Sequence, residues 1–156
     1  MPDNDKTLIV GAGPAGLTCA LSLVKSGKRV KIIDKRTTRG SISKATGVSL
    51  GTIKALVELG FPDTITKFMT PMSRFEFYED NELISDLKIP LLNKEPPAYL
   101  YPQLKLEKLI ENEINMKGVF VQYNTFIQKI DNQKSFAHAE IISNENLSKE
   151  KFKREI

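Results

Sequence analysis

LIVGAGPAGLTCALSLVKSGKRVKIID, residues 8–34, is the stretch whose reading decides the fold. Leu8, Ile9 and Val10 form a short apolar run, the pattern of a strand covered on both faces. Gly11, Gly13 and Gly16 follow at once in the spacing GxGxxG. Pro14 suits the first turn of a helix, where its missing N–H is no loss. Ala15, Leu17, Ala20, Leu21 and Val24 then give an apolar helical face, and Gly27 ends it. Residues 30–34 read as a second buried strand that closes on the carboxylate of Asp34. The glycines therefore lie in the turn of a β–α–β unit, the context that gives their spacing meaning.

In that context the spacing points to a dinucleotide. Gly11 permits the tight turn off the strand, Gly13 lets the backbone approach a pyrophosphate, and Gly16 lets the helix pack closely on the strand. The helix N-terminus offers N–H groups and a positive dipole end to phosphates. Asp34 follows the last glycine at close to the offset of about 20 residues at which an acidic side chain holds a ribose. The bland alternative is a helix–strand packing turn with no ligand. The two strands, the helix and the carboxylate together favour the dinucleotide.

The rest of the composition sets bounds. At 156 residues the chain suits one domain with a real core. With 40% hydrophobic and 27% charged residues it has the make-up of a soluble globular protein. No apolar run approaches the roughly 20 residues that cross a bilayer. The opening MPDNDKT is polar and unlike a signal peptide, so a cytoplasmic location is expected. Cys19 stands alone, which excludes an internal disulfide; its place in the first helix predicts a buried small residue. The net charge of +4 is spread among acids, and no nucleic-acid module is present.

Beyond Asp34, residues 35–44 (KRTTRGSISK) predict an exposed basic loop. Residues 52–59 read as a helix ended by Gly60, and residues 62–68 add a turn or two. Residues 74–78 and 83–87 flank Glu79-Asp80-Asn81-Glu82 as a hairpin. Residues 89–97 hold three prolines and predict an irregular connection. Leu106, Leu109, Ile110 and Ile114 mark a helix over 104–117, and residues 119–123 begin a strand. Residues 126–130 and 136–142 bracket a second hairpin turn at 131–134, and the charged tail from 144 predicts frayed or weakly helical chain.

With these residues in view, the sequence resembles the N-terminal part of the FAD-dependent aromatic hydroxylases, the para-hydroxybenzoate hydroxylase-like flavoprotein monooxygenases. The resemblance runs from about residue 7 to 142 and rests on three segments: GAGPAGL with Asp34; Ser43-Lys44-Ala45 before TGVSLGTIKALVELGF; and Tyr101-Pro102-Gln103 before Leu106-Glu107-Lys108-Leu109. It implies an α/β, Rossmann-like FAD-binding domain of the glutathione reductase type, incomplete, with β-hairpin insertions. Residues 1–156 would be the N-terminal part of that domain, and 70–100 the beginning of a substrate-domain sheet.

The resemblance also assigns roles. Gly11, Ala12, Gly13, Pro14, Ala15 and Gly16 form the FAD fingerprint, Asp34 with Lys35 beside it holds the adenosine ribose, and the backbone near residues 125–127 passes the adenine. Lys44 maps to a basic residue near the phosphates and ribityl chain, where relatives more often have arginine; lysine keeps the charge and loses the bidentate fork. Gln103 maps to a glutamine on the flavin side. The intact family reduces FAD with NADH or NADPH and uses O2 to hydroxylate a small organic ring.

Family members continue into a strand ending in Asp-Gly and a later Gly-Asp turn, and neither pair occurs in these 156 residues. The chain is thus expected to supply the adenosine half of the site and no turnover of its own. Residues 8–10, which normally lie between residues 30–33 and a later strand, should then form an edge that self-associates or takes a strand from a complementing chain. No independent catalytic set or metal cluster is read: His138 falls on the polar face of a hairpin strand, and Tyr78, Tyr99 and Tyr101 suit core packing. Two other readings compete, an NAD-dependent dehydrogenase domain, favoured by Asp34 but softened by Lys35 and Arg36, and a non-catalytic fragment that binds adenine dinucleotide.

Overall fold

The computed structural model describes residues 6–40, 46–132, 136–143 and 146–153. In chain order the elements are β1 (Lys6–Val10), α1 (Pro14–Lys25), β2 (Arg29–Ile33), β3 (Gly47–Ser49), α2 (Leu50–Glu58), a 3-10 turn (Asp63–Phe68) and β4 (Thr70–Pro71). There follow β5 (Arg74–Glu79), β6 (Glu82–Lys88), β7 (Ala98–Leu100), α3 (Gln103–Met116), β8 (Val121–Gln122), β9 (Thr125–Asn132), β10 (Phe136–Ser143) and β11 (Asn146–Lys153). They form two compact units, Met1–Ile42 with Leu104–Ile156, and Ser43–Gln103.

The first unit is built on a parallel sheet in the order β1–β2–β8. Ile9 lies opposite Ile32 and Val10 opposite Ile33, so successive residues face opposite sides of the sheet. On one side Ile9 meets the start of α1, which buries Leu17, Ala20 and Leu21. On the other side Ile33 packs with Ala139 and Ile141, with Leu8 and Ile127 closing the cluster. Ala139, Ile141 and Ile127 come from a second sheet, antiparallel in the order β11–β10–β9. The apolar run of the opening strand is thus explained: both of its neighbours in the layers are apolar. Among the described residues β1 is paired on one side alone, and Val10 is 60% exposed.

Two expectations for this unit are corrected. The tail is no frayed helix; Asn146–Lys153 forms β11 along β10, with Leu147 opposite Ile142. A main-chain ladder holds it, and a ladder leaves no mark in a charged sequence. Cys19 is exposed. Steps of 100° per residue put position 19 on the far side of α1 from Leu17 and Leu21, so small size did not imply burial.

In the second unit β3, β7 and β4 form an antiparallel sheet. Two of these three strands have three residues and the third has two, too short for a period of two to show in sequence. The helix α2 starts two residues earlier than its apolar spacing indicates, because the Ser49 hydroxyl accepts a bond from the Thr52 N–H at 3.1 Å and caps it. Strands β5 and β6 form the expected hairpin, closed by Asp80 and Asn81 with φ of 47° and 69°. Two successive left-handed residues give the turn whose twist matches the strands. Its Phe75, Phe77, Leu83 and Leu87 are exposed, whereas Tyr99 and Tyr101 are buried as expected and Tyr78 is not.

The approach of α1 to β1 gives a direct test of the fold. A Cβ at Gly16 would lie 1.9 Å from the Gly11 carbonyl oxygen and 3.1 Å from its carbon, both of them backbone atoms that cannot turn aside. Gly16→Ala is expected to destabilise the protein by about 1–3 kcal/mol, the range for overpacking. At Gly51, in the first turn of α2, an added Cβ meets nothing closer than 3.8 Å. Gly51→Ala is expected to leave stability unchanged or raise it by up to about 1 kcal/mol. Urea unfolding of both variants checks the pair; equal effects would contradict this packing.

Candidate nucleotide site

The site begins at the turn from β1 into α1. Gly11 takes a φ of 103°, which strains any residue with a Cβ, and its N–H donates to the Ile33 carbonyl at 2.8 Å. Gly13 is the N-cap with φ −79° and ψ −179°, and Pro14 opens the helix. No side chain caps this end, and no acid stands in the first turn. A Cβ on Gly13 would meet nothing within 4 Å, so the space over the helix start is open. The N-terminal N–H groups and the helix dipole therefore face that space with positive character.

The carboxylate at the end of β2 reaches this turn. Asp34 is 6% exposed, and its Oδ2 accepts the Ala12 N–H at 2.7 Å. Arg36 supplies the rest: its backbone N–H and Nε donate to Oδ1 at 2.8 and 2.9 Å, and its Nη2 donates to Oδ2 at 2.9 Å. The same Nη2 donates to the Ala12 carbonyl at 3.0 Å. Burial alone pushes the Asp34 carboxyl up. The bonds from the Arg36 side chain and from the Ala12 and Arg36 backbone outweigh it and hold the group below its ordinary value.

The backbone here is fixed from the far side. Asp34 N–H donates to the Gln122 carbonyl, and the Asp34 and Arg36 carbonyls accept from Thr125 and Asn124 at 3.0 and 2.7 Å. Two carboxylates of α3, buried although charged, complete the setting. Arg36 Nη1 lies 3.7 Å from Glu107 Oε2, and Arg39 Nε donates to Glu111 Oε2 at 2.8 Å. The Tyr123 hydroxyl donates to the same Glu111 oxygen at 3.1 Å. Burial first, and then Glu111, pushes its pKa up to about 12, so it stays a neutral donor.

The residues singled out from sequence are thus distributed unevenly. Gly11, Ala12, Gly13, Pro14, Gly16 and Asp34 come together at one turn, with Ala12 fully buried. Ala15 and Lys35 are exposed near it. Lys44 lies outside the described residues, and Gln103 opens α3 at the end of the second unit. His138 is exposed on β10. Arg36, Arg39, Glu107, Glu111 and Tyr123 were not foreseen as a cluster. The one available signal was spacing: two arginines three apart after Asp34, and two glutamates four apart beside the apolar stripe of α3.

Comparison with known proteins gives this arrangement a context. A family model described as an FAD binding domain matches residues 4–153. A flavin-dependent monooxygenase of Mycobacteroides abscessus is 25% identical over 127 residues, covering 75% of this chain and 27% of that protein. The 6-methylpretetramide 4-monooxygenase of Streptomyces rimosus is 28% identical over 127 residues, covering 78% of this chain and 22% of that one. The chain therefore spans about a quarter of the length of these curated relatives. Among solved structures, p-nitrophenol 4-monooxygenase from Pseudomonas putida superposes with a TM-score of 0.85 at 23% identity, over 98% of this chain and 40% of that one. Aklavinone-11 hydroxylase, solved as a ternary complex with FAD and aklavinone, gives 0.81 at 17% identity, over 97% of this chain and 32% of that one. At such identities the likeness is one of fold.

The Asp34 network makes a pH-dependent contribution whose sign is fixed. A carboxyl held below its ordinary value of 3.8 stabilises the folded chain fully above that value and loses the effect as pH falls through the lower folded value. Asp34→Asn puts an amide where two oxygens accept four bonds. It is expected to cost roughly 1–2 kcal/mol at about pH 7, the lower part of the range for bonds to charged groups because Arg36 is partly exposed. The deficit should shrink as the parent is taken to about pH 3. Urea titrations at both pH values check this, and a deficit independent of pH would contradict it.

Proposed function

This chain belongs to the FAD-binding domain family, and we propose that it is the adenosine-binding, N-terminal region of a flavin-dependent monooxygenase acting on an aromatic or similar small organic substrate. The observation that carries this reading is the Asp34 carboxylate hydrogen-bonded at 2.7 Å to the Ala12 N–H, inside an uncapped glycine turn with open space above Gly13. Those residues fit FAD. The N–H groups at the start of α1 suit the diphosphate, and Asp34 is an acceptor for ribose hydroxyls. FAD, when bound, supplies the redox chemistry, drawing electrons from NADH or NADPH and using O2 for hydroxylation.

The chain's own part is to bind and orient. Gly11 sets the turn, Gly13 leaves the approach to the diphosphate clear, and Lys35 adds positive charge beside the ribose. The backbone at residues 125–127, whose Thr125 N–H is bonded to the Asp34 carbonyl, takes its role beside the adenine from the family resemblance. Lys44 and Gln103 take their roles near the ribityl chain and flavin from the family resemblance. The exposed apolar residues of β5 and β6 support a further assignment, residues 70–100 as the beginning of a substrate-domain sheet. A cytoplasmic location agrees with the single cysteine. Among the described residues no helix is long and apolar enough to cross a membrane.

Two measurements test the proposal. Gly13 has an ordinary φ and an open Cβ direction, so Gly13→Val should keep the circular dichroism of the parent while abolishing calorimetric binding of FAD and ADP. Unchanged affinity would sink the reading. The side of β1 that has no strand partner among the described residues is expected to make the 156-residue chain self-associate, or recruit a complementing strand, on sizing chromatography. A stable monomer at all concentrations would show that this edge is inert.

A further inference from the structure

A carboxylate has about four acceptor positions, two on each oxygen. In Asp34 all of them are taken. Ala12 N–H and Arg36 Nη2 occupy Oδ2, and the Arg36 backbone N–H and Nε occupy Oδ1. Two of these donors are backbone groups that the fold holds in place, since Arg36 is itself tied down by the Asn124 N–H at 2.7 Å on its carbonyl. The other two belong to the guanidinium of one side chain, 33% exposed, whose Nη2 also donates to the Ala12 carbonyl at 3.0 Å. A ribose diol presents two O–H donors. It cannot donate to Asp34 while the guanidinium fork is in place.

We propose that Arg36 is a latch on the nucleotide site: its guanidinium competes with the ribose diol for Asp34, and adenosine enters as Arg36 swings from Asp34 toward Glu107. The inference rests on the nucleotide-binding reading above. Glu107 is suited to receive the guanidinium. Its carboxylate is buried, and its Oε2 already lies 3.7 Å from Arg36 Nη1, within ion-pair range and too far for a hydrogen bond. The latch also has a reason to exist. An empty site would otherwise leave a buried carboxylate with half its acceptor positions unfilled, which is costly. Ligands are thereby selected for a diol able to displace a charged fork.

The effect is read from a ratio. ADP and 2′,3′-dideoxy-ADP are titrated calorimetrically into the parent chain and into Arg36→Ala, and the dideoxy-to-ADP ratio of Kd is taken for each. The loss of Arg36's attraction for the diphosphate affects both ligands alike and cancels. In the parent the diol merely replaces guanidinium bonds, whereas in Arg36→Ala it fills open positions on Asp34. The ratio is expected to rise about tenfold in the variant, the equivalent of one bond to a charged group. Arg36→Lys keeps the charge and loses the planar fork that grips both carboxylate oxygens at once, so it should give a smaller rise and serves if the alanine variant does not fold. A ratio that is unchanged or lower in the variants would overturn the latch while leaving the nucleotide site standing. If neither parent nor variant binds ADP, the site itself is wrong and the latch falls with it.

Discussion

The hydrogen bond from the Ala12 N–H to the Asp34 carboxylate, 2.7 Å long and out of contact with water, is the constraint on which the first unit turns. It joins the end of one parallel strand to the turn leaving its neighbour. It can form because Gly11 bends the chain at a φ of 103° and donates to Ile33 in the same stroke. A carboxylate buried to this degree must be paired, and the backbone alone supplies half of what it needs. Arg36 supplies the rest, and α3 supplies Glu107 and Glu111 to balance the arginines that result. A demand for acceptors and donors at one point thus organises four elements around the start of α1.

Much of this was legible in the sequence, for physical reasons. The β–α–β unit announces itself because a strand lying between two apolar layers requires a run such as Leu8-Ile9, although Val10 at its end is exposed, and close helix–strand contact requires Gly16. The helix α3 is legible because its apolar residues repeat at three and four, and the β5–β6 hairpin because Asp80-Asn81 tolerates left-handed backbone. What escaped notice is held by other means. Strand β11 is secured by backbone ladder bonds beneath a charged sequence, and β3, β4 and β7 are too short for any period. Arg36 resembled a solvated loop residue until the fold brought Ala12 beside Asp34.

The same contrast holds within the site. Glycine spacing and the offset of the carboxylate mark the turn proposed as the nucleotide cradle, since backbone geometry dictates both. Long charged side chains converge through tertiary structure, so the Arg36–Glu107 and Arg39–Glu111 pairs could be seen in the fold and not in the order of residues. Tyr123, whose hydroxyl stays protonated beside Glu111, belongs to the same class.

The claim that this turn is an adenosine site is tested most directly by a crystal structure of the chain with ADP bound. The account predicts the diphosphate against the first N–H groups of α1 over Gly13. It places at least one ribose hydroxyl within about 3 Å of an Asp34 carboxylate oxygen. ADP bound elsewhere, or a ribose turned away while all four bonds to Asp34 remain as they are, would contradict it.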